Sequence, residues 1–548
     1  MKRPVFRLVC ALVALFGASL GLSSCADDLS TGVWVEPTVT LTRQSEPLIT
    51  DSDVTRQTYR AGAENPYDAM PTSGEVNVLV IPVEFSGYRF ADGVVKDIDT
   101  LFNGTDEETN YWKSVSSFYE ESSFGKLDIK GTVSEVYFTN LTPEAFLKAP
   151  DPSGQSTNGT SSVVSLLRGA VAHYKSVHGS DSTKAFDRDG DGVIDGVYLI
   201  YSFYDYQTAE ENGICANPTY WAFTARDTLA PDKDAPIASN FVWASYDFMY
   251  GAVKKGVGVD AHTYIHETGH MMGLDDYYNY DQINANANIP LKYRNFTPTG
   301  ALDMMDYNIL DHDCYSKFAL GWTSPYLIDS SLDFPLTVTL RDSVSSNGDF
   351  IIIPDASSVY GGSAFGEYLM LELYAPTGLN ALDSGTAYRG NRPKGFRSAG
   401  LKISHVDSRL VRVEGNTATY VNGVTKSDLA SASPSGYYVV AASNTPSYSL
   451  EKEGYRLLHL LESGASLTFD NYDEANGTAY DSVSYATDFT LFSGNAKRNG
   501  FSMDRFASFF ENGAKFNDGN EFGYSLKVNK VRSSSEGACE ASITISKN

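Results

Sequence analysis

Histidine is scarce in this chain, with eight in 548 residues, and cysteine is scarcer, at five. The sequence has no Cys-x-x-Cys pair. Thiolate zinc knuckles and the disulfide framework of small secreted domains are therefore excluded. Basic residues are outnumbered 42 to 68 by acidic ones, which leaves a net charge of -26. A chain this acidic lacks the basic face that a polyanion needs, which argues against nucleic acid as a partner. The same surplus suits solubility outside the cell, and carboxylates suit calcium. After residue 25 no stretch reaches the roughly 20 apolar residues of a transmembrane helix. Fixed-period repeats and long low-complexity runs are absent as well. Aromatics are abundant instead, at 13%, with 35 Tyr and 29 Phe; this is the composition of a folded protein with a large core.

The one long apolar run comes first. Lys2 and Arg3 precede Leu8–Leu22, the pattern of an export signal set apart from the fold, and residues 1–24 are assigned to it. The run ends in Leu22-Ser23-Ser24-Cys25, which resembles a bacterial lipobox with Cys25 as the lipidated mature N-terminus. Ordinary signal cleavage beside an incidental cysteine is the alternative. The expectation is an extracytoplasmic protein attached to the bacterial membrane or cell surface by lipid only, with a monomer favoured. Cys10 leaves with the signal, and Cys215, Cys314 and Cys539 remain. One pair of them could form a disulfide, and the sequence does not say which.

Residues 25–70 are polar and aperiodic, which reads as a linker or a pro-segment. "EVNVLVIPVEF" (75–85) is a nearly continuous apolar run fit for a buried strand. Residues 111–138 read as a helix, a stop at Gly125, and two strands. Residues 161–179 carry helical spacing with a terminal glycine. "DGVYLIYSF" (195–203) reads as another buried strand, and "FVWASYDFMYG" (241–251) also reads as strand. After Trp322 helical patterns give way to short alternating strands. The spacing predicts an α+β chain with a boundary near 325: residues 71–325 as one domain, and 326–548 as a β-rich region of one or two sandwich modules.

Three of the eight histidines fall in "HTYIHETGH" (262–270). His266-Glu267-Thr268-Gly269-His270 is H-E-x-x-H. On a helix, positions i and i+4 share a face, so both imidazoles can ligate one zinc ion. Glu267, beside that face, can reach a water on the metal as general base. Catalytic zinc usually takes three protein ligands and leaves one position open. Gly273 can adopt positive φ and end the helix, and Asp276 then returns as third ligand. Asp275 is the neighbouring competitor, at a spacing that fits worse. His262, one turn earlier, reads as a packing or supporting residue.

"FDRDGDGVIDGVYLIY" (186–201) places Asp187, Asp189, Asp191 and Asp195 at positions 1, 3, 5 and 9 of an EF-hand-like loop, with Gly192 at position 6. Position 12 is Tyr198, where an EF-hand has glutamate, and strand follows. The expectation is a rigid structural Ca²⁺ clip, with an ion-free acidic turn as the alternative.

Several of these stretches together resemble the immune inhibitor A family of secreted bacterial zinc metallopeptidases, an Asp-type branch of the metzincins. The resemblance runs in order through "VNVLVIPVEFSG", "SVSSFYEESSFGKLDIKGTV", "DRDGDGVIDGVYLIY", "HETGHMMGLDDYY", "MMDYNILDHDCYSKFALGW" and the β-rich stretch 367–407. It implies a two-lobed metzincin-like catalytic domain and a zinc endopeptidase acting on proteins or peptides. In it His266, His270 and Asp276 hold the metal and Glu267 is the base. It also implies a methionine turn, for which Met305 is the candidate. Tyr307 in the same turn would ligate zinc or stabilise the oxyanion. Two departures stand out. Leu274-Asp275-Asp276 replaces a common Leu-Pro-Asp, and Glu372-Leu373-Tyr374 replaces Glu-Asn-Arg, so no role for that arginine carries over. His405 and Asp407 match a family pattern and read as structural. The alternatives are an idle binding protein on a metallopeptidase fold, or a zinc hydrolase of a non-protein cell-surface substrate.

Overall fold

The computed structural model describes residues 31–45, 49–54, 69–148, 159–284, 288–357, 360–390, 392–431, 436–470, 472–473, 475–479, 484–533 and 537–548. The export signal and Cys25 lie outside the described residues, as does part of 25–70. Among the described residues no helix is long and apolar enough to cross a membrane.

The chain mixes helices with several separate sheets, as an α+β sequence should. The first sheet runs Leu127–Val133, Gly74–Glu84, Val197–Tyr201, Asn240–Ser245 and Phe223–Arg226. Its first four strands are parallel, and the edge strand Phe223–Arg226 is antiparallel. Parallel strands are covered on both faces and therefore read as continuous apolar runs. The two cores follow the alternation. Val76, Val78 and Val80 face one core with the helix His262–Met272, while Leu79, Ile81 and Val83 face another with the helix Gly159–His178. The stretch 241–251 is strand only to Ser245; Tyr246–Tyr250 is a tight helical turn.

Beyond residue 325 the described helices shrink to five residues or fewer. A five-stranded sheet runs Leu458–Leu460, Gly400–Asp407, Glu367–Tyr374, Phe350–Pro354 and Tyr326–Leu327. A four-stranded sheet runs Leu336–Arg341, Cys539–Lys547, Tyr524–Ser533 and Gly500–Ser502. Ile351, Leu369, Leu371 and Ile403 of the first share a core with Val338, Val528 and Ile543 of the second, a face-to-face sandwich. The alternate residues Ile352, Met370 and Val406 point the other way, into the core that holds the motif helix. The change of texture near 325 is real, but it does not separate two cores, because one sheet serves both.

The segment read as a linker is docked where it is described. Thr38 N–H donates to Thr337 O at 2.8 Å, Gln44 N–H to Pro325 O at 2.7 Å, and Arg43 pairs with Asp349. No disulfide joins Cys215, Cys314 and Cys539.

Candidate metal centre

The helix His262–Met272 packs on the first sheet, and hydroxyl and amide groups tie it to that sheet and to the helix Val115–Ser122. Tyr264 Oη donates to Ser245 O and Tyr119 Oη to Ile265 O, both at 2.6 Å; Asn240 Nδ2 donates to Met271 O at 3.0 Å. The helix stops where expected. Gly273 has φ 114°, and the N–H groups of Gly273 and Leu274 close on His270 O and Gly269 O.

Both imidazoles are held by backbone. His266 Nδ1 is 2.8 Å from Met304 O and His270 Nδ1 is 2.7 Å from Leu274 O. A carbonyl can only accept, so each Nδ1 carries the hydrogen and each Nε2 presents a lone pair. The two Nε2 atoms are 3.1 Å apart, and Asp276 Oδ1 lies 3.0 Å from one and 3.3 Å from the other. Asp276 Oδ1 is buried and takes no hydrogen bond. Three lone pairs thus converge on one point, a repulsive arrangement unless a cation sits among them. A proton could serve in part: burial alone would lower the His270 pKa, but Asp276 outweighs it and pushes it up to about 10. The donor set, two imidazole nitrogens and one carboxylate, could hold a metal ion. The sequence's preference for Asp276 over Asp275 agrees with this geometry.

Glu267 is buried beside the trio, and burial is the main cause of its raised pKa. Thr224 Oγ1, on the edge strand, lies 3.0 Å from Glu267 Oε2 and 2.9 Å from Glu267 O. A hydrogen bond to a charged group contributes about 1.5 kcal/mol, roughly tenfold in rate if it positions a base. Should Glu267 act as a base on a metal-bound water, Thr224→Val is expected to lower kcat about tenfold at unchanged metal content. Steady-state kinetics check this, and full activity in the variant would remove the positioning role.

Met304 and Met305 are fully buried under the helix. A Cβ on Gly269 would come within 2.5 Å of Met305 Sδ, so the methionine occupies the space a side chain would take. Gly269→Ala should gain helix propensity, about 1 kcal/mol, yet overpacking costs of about 1–3 kcal/mol oppose it. The expected outcome is no net gain in denaturant midpoint.

A cavity of about 530 Å³ opens at the trio. Its walls include Thr224 and Arg226 of the edge strand, Tyr278 and Tyr280, and Val439 and Val440 from the β-rich half. Asp51 and Val54, from the segment before residue 70, close one side. Tyr307 is not among the described residues lining this cavity. Its ring stands edge-on to Tyr485 at 5.7 Å, with the Arg392 guanidinium 4.4 Å above it. Sequence reasoning missed Tyr278 and Tyr280, although "DDYYNY" follows the motif directly. It missed Thr224 too, which lies 43 residues from Glu267 with no local signal.

His262 stands apart from the trio. It lies between the rings of Trp112 and Tyr388, at 4.2 and 4.3 Å, with Nδ1 2.7 Å from Asp260 and Nε2 3.5 Å from Asp383. His405 pairs with Glu367 at 2.8 Å, and Asp407 holds Arg409 with two 2.8 Å hydrogen bonds. Glu372, where the family pattern differs, pairs with Lys402 at 3.2 Å.

The acidic loop brings Asp187, Asp189 and Asp191 together, with ligand atoms within 4.8 Å. Asp195 is not in that group; it is buried and accepts from Arg188 N at 3.2 Å. Asp187 also accepts from the N–H groups of Gly190, Asp191 and Gly192, and a strand follows at Val197.

No protein-family model matches this chain, and no curated protein matches it.

Proposed function

We propose that this chain is a zinc endopeptidase that hydrolyses peptide bonds in proteins, related to the immune inhibitor A family. The observation that carries the reading is the convergence of His266 Nε2, His270 Nε2 and Asp276 Oδ1, with no hydrogen-bond donor to that oxygen and Glu267 alongside. Zinc held there would supply Lewis acidity and lower the pKa of water to around 7. Glu267 takes a proton from the attacking water and later returns it to the leaving amine nitrogen. Thr224 holds the carboxylate during both transfers. The Nδ1–H bonds to Met304 and Leu274 fix the tautomer and orientation of the two imidazoles, the usual task of groups behind metal ligands.

The parallel sheet with one antiparallel edge strand beside the cavity, and the methionine under the motif helix, support a two-lobed metzincin-like architecture. Asp187, Asp189 and Asp191 are the proposed holders of a structural Ca²⁺. Export and lipidation at Cys25 rest on the sequence alone and complete the proposal as a cell-surface enzyme.

The test is hydrolysis of an unfolded protein substrate by the soluble chain from Ala26 onward, with bound zinc measured in parallel. Cleavage that a chelator abolishes and zinc restores supports the reading. Stoichiometric zinc with no cleavage of any protein substrate, before or after N-terminal trimming, would sink it in favour of a binding role or a non-protein substrate.

A further inference from the structure

The described chain begins on one face of the β-rich half. Gly32 lies against Asn529 and Gly494 so closely that a Cβ there would clash with both backbones. Residues 33–38 then cross the outer face of the four-stranded sheet. Val33 N–H donates to Asn529 O at 3.2 Å, Ser542 Oγ to Val35 O at 2.6 Å, and Thr38 N–H to Thr337 O at 2.8 Å. The Arg532 guanidinium lies 3.4 Å over the Trp34 ring. Cys25 stands six residues before Thr31, and six residues span at most about 20 Å. A lipid on Cys25 therefore keeps this face within about that distance of the bilayer.

The face carries the groups that a bilayer surface takes. Val33 and Phe489, 77% and 76% exposed, are the two most exposed large apolar side chains among the described residues. Phe489 sits on the loop that includes Gly494, under the Arg498 guanidinium at 5.3 Å. Lys527 and Lys530 stand opposite Thr544 and Ser542 on the outer side of the strand Tyr524–Ser533. Arg505 joins Lys497 to them, donating to Lys497 O at 3.2 Å and to Gly500 O at 2.9 Å, and Gly500 pairs with Lys527. Among the described residues no ion pair holds these three lysines. Glu540 is held by Arg532 at 3.2 Å and Asp488 by Arg397 at 3.4 Å, which leaves Glu36 as an exposed carboxylate beside them. In a chain of net charge -26 such a face is unusual. Each lysine near anionic head groups favours binding about fivefold. Carboxylates on the far layers lie beyond a Debye length of about 8 Å, so they do not cancel that attraction.

The inner side of the same sheet, with Val338, Val528 and Ile543, packs on the five-stranded sheet. The other side of that second sheet packs into the core of the motif helix. With layers about 10 Å apart, the metal centre stands roughly 20 Å above the outer face.

We propose that this outer face, with Val33, Phe489, Lys497, Lys527 and Lys530, seats on an anionic lipid surface and holds the metal centre two layers above it. The seating rests on lipidation at Cys25 and is independent of the peptidase reading.

The experiment uses the full chain purified from bacterial membranes, reconstituted in vesicles of phosphatidylcholine and phosphatidylglycerol in equal parts. Acetylation of each lysine is read by mass spectrometry and compared with the soluble chain from Ala26 onward. Lys497, Lys527 and Lys530 are expected to react at least about fivefold more slowly on the vesicles, the factor of one head-group contact each. Lys96 and Lys255, exposed on the layers around the motif helix, are expected to react as before. Unchanged reactivity of Lys527 and Lys530, or protection of Lys96 and Lys255 in their place, overturns the seating. Protection as large on phosphatidylcholine alone overturns the anionic preference. A membrane-purified chain without an acyl group on Cys25 overturns the anchor and the seating with it, whereas a lack of chelator-sensitive hydrolysis touches only the peptidase reading.

Discussion

Glu267→Gln is expected to lower kcat by about 10³-fold, within the range that general-base catalysis supplies, while zinc stays bound at the wild-type level. The amide keeps the shape of the carboxylate but cannot take a proton from water. Nothing in the anchoring of the trio passes through Glu267: His266 and His270 are held by the carbonyls of Met304 and Leu274. Metal content and proton transfer should therefore separate cleanly in this variant. Measuring kcat and bound zinc on the same preparation checks it. Loss of zinc along with activity would mean that the carboxylate helps to hold the metal, contrary to a trio made of His266, His270 and Asp276 alone.

The second large effect concerns stability. His262 is fully buried, and so are both of its acidic neighbours, Asp260 and Asp383. Burial lowers its pKa, but the two carboxylates overcome that and push it up to about 9, while Asp260 is held below the usual carboxylate range. The folded-state value lies above the unfolded value of about 6.5. The stabilisation is therefore complete below pH 6.5 and is lost as pH rises toward 9, by roughly 3 kcal/mol across that window. His262→Leu leaves two buried carboxylates without their cation, and removal of one partner from such a group costs about 3–5 kcal/mol. Denaturant unfolding of both proteins between pH 6 and 9.5 tests the pair of expectations. The wild type should lose stability across the window. The variant should start lower than the wild type and lose less across the window, because only the slope from His270, itself pushed up to about 10, is common to both. Equal slopes in the two proteins would show that His262 is neutral in the native state.

His262 illustrates what could be read in advance. Its place on the motif helix was legible from spacing, and so was its exclusion from the metal. The two rings that sandwich it come from positions 112 and 388, and no local pattern joins those to 262. Tyr307 and Tyr278 make the same point from the other side. Both are tyrosines near the motif, and a resemblance favoured the first. The tertiary structure packs Tyr307 under Arg392 and leaves Tyr278 on the cavity wall. The residues 25–70 and the boundary near 325 show a further limit. A polar aperiodic stretch looks like a linker whether or not another segment accepts its backbone hydrogen bonds. A strand buried on both faces likewise reads the same whichever core covers each face.

The pieces whose physics is local could be read from the order of residues. These are the helix that sets His266 and His270 on one face, the glycine that ends it, the return of Asp276, and the acidic turn before a strand. Each depends on a few bonds of fixed geometry within about a dozen residues. Their surroundings come from packing between distant segments: Thr224 on Glu267, Met305 in the space left by Gly269, the tyrosine pair braced by Asn444 and Thr445, and one sheet shared between two cores. Those contacts join positions 36 to 167 residues apart in most cases. They follow from how the elements pack together, which short-range periodicity does not encode.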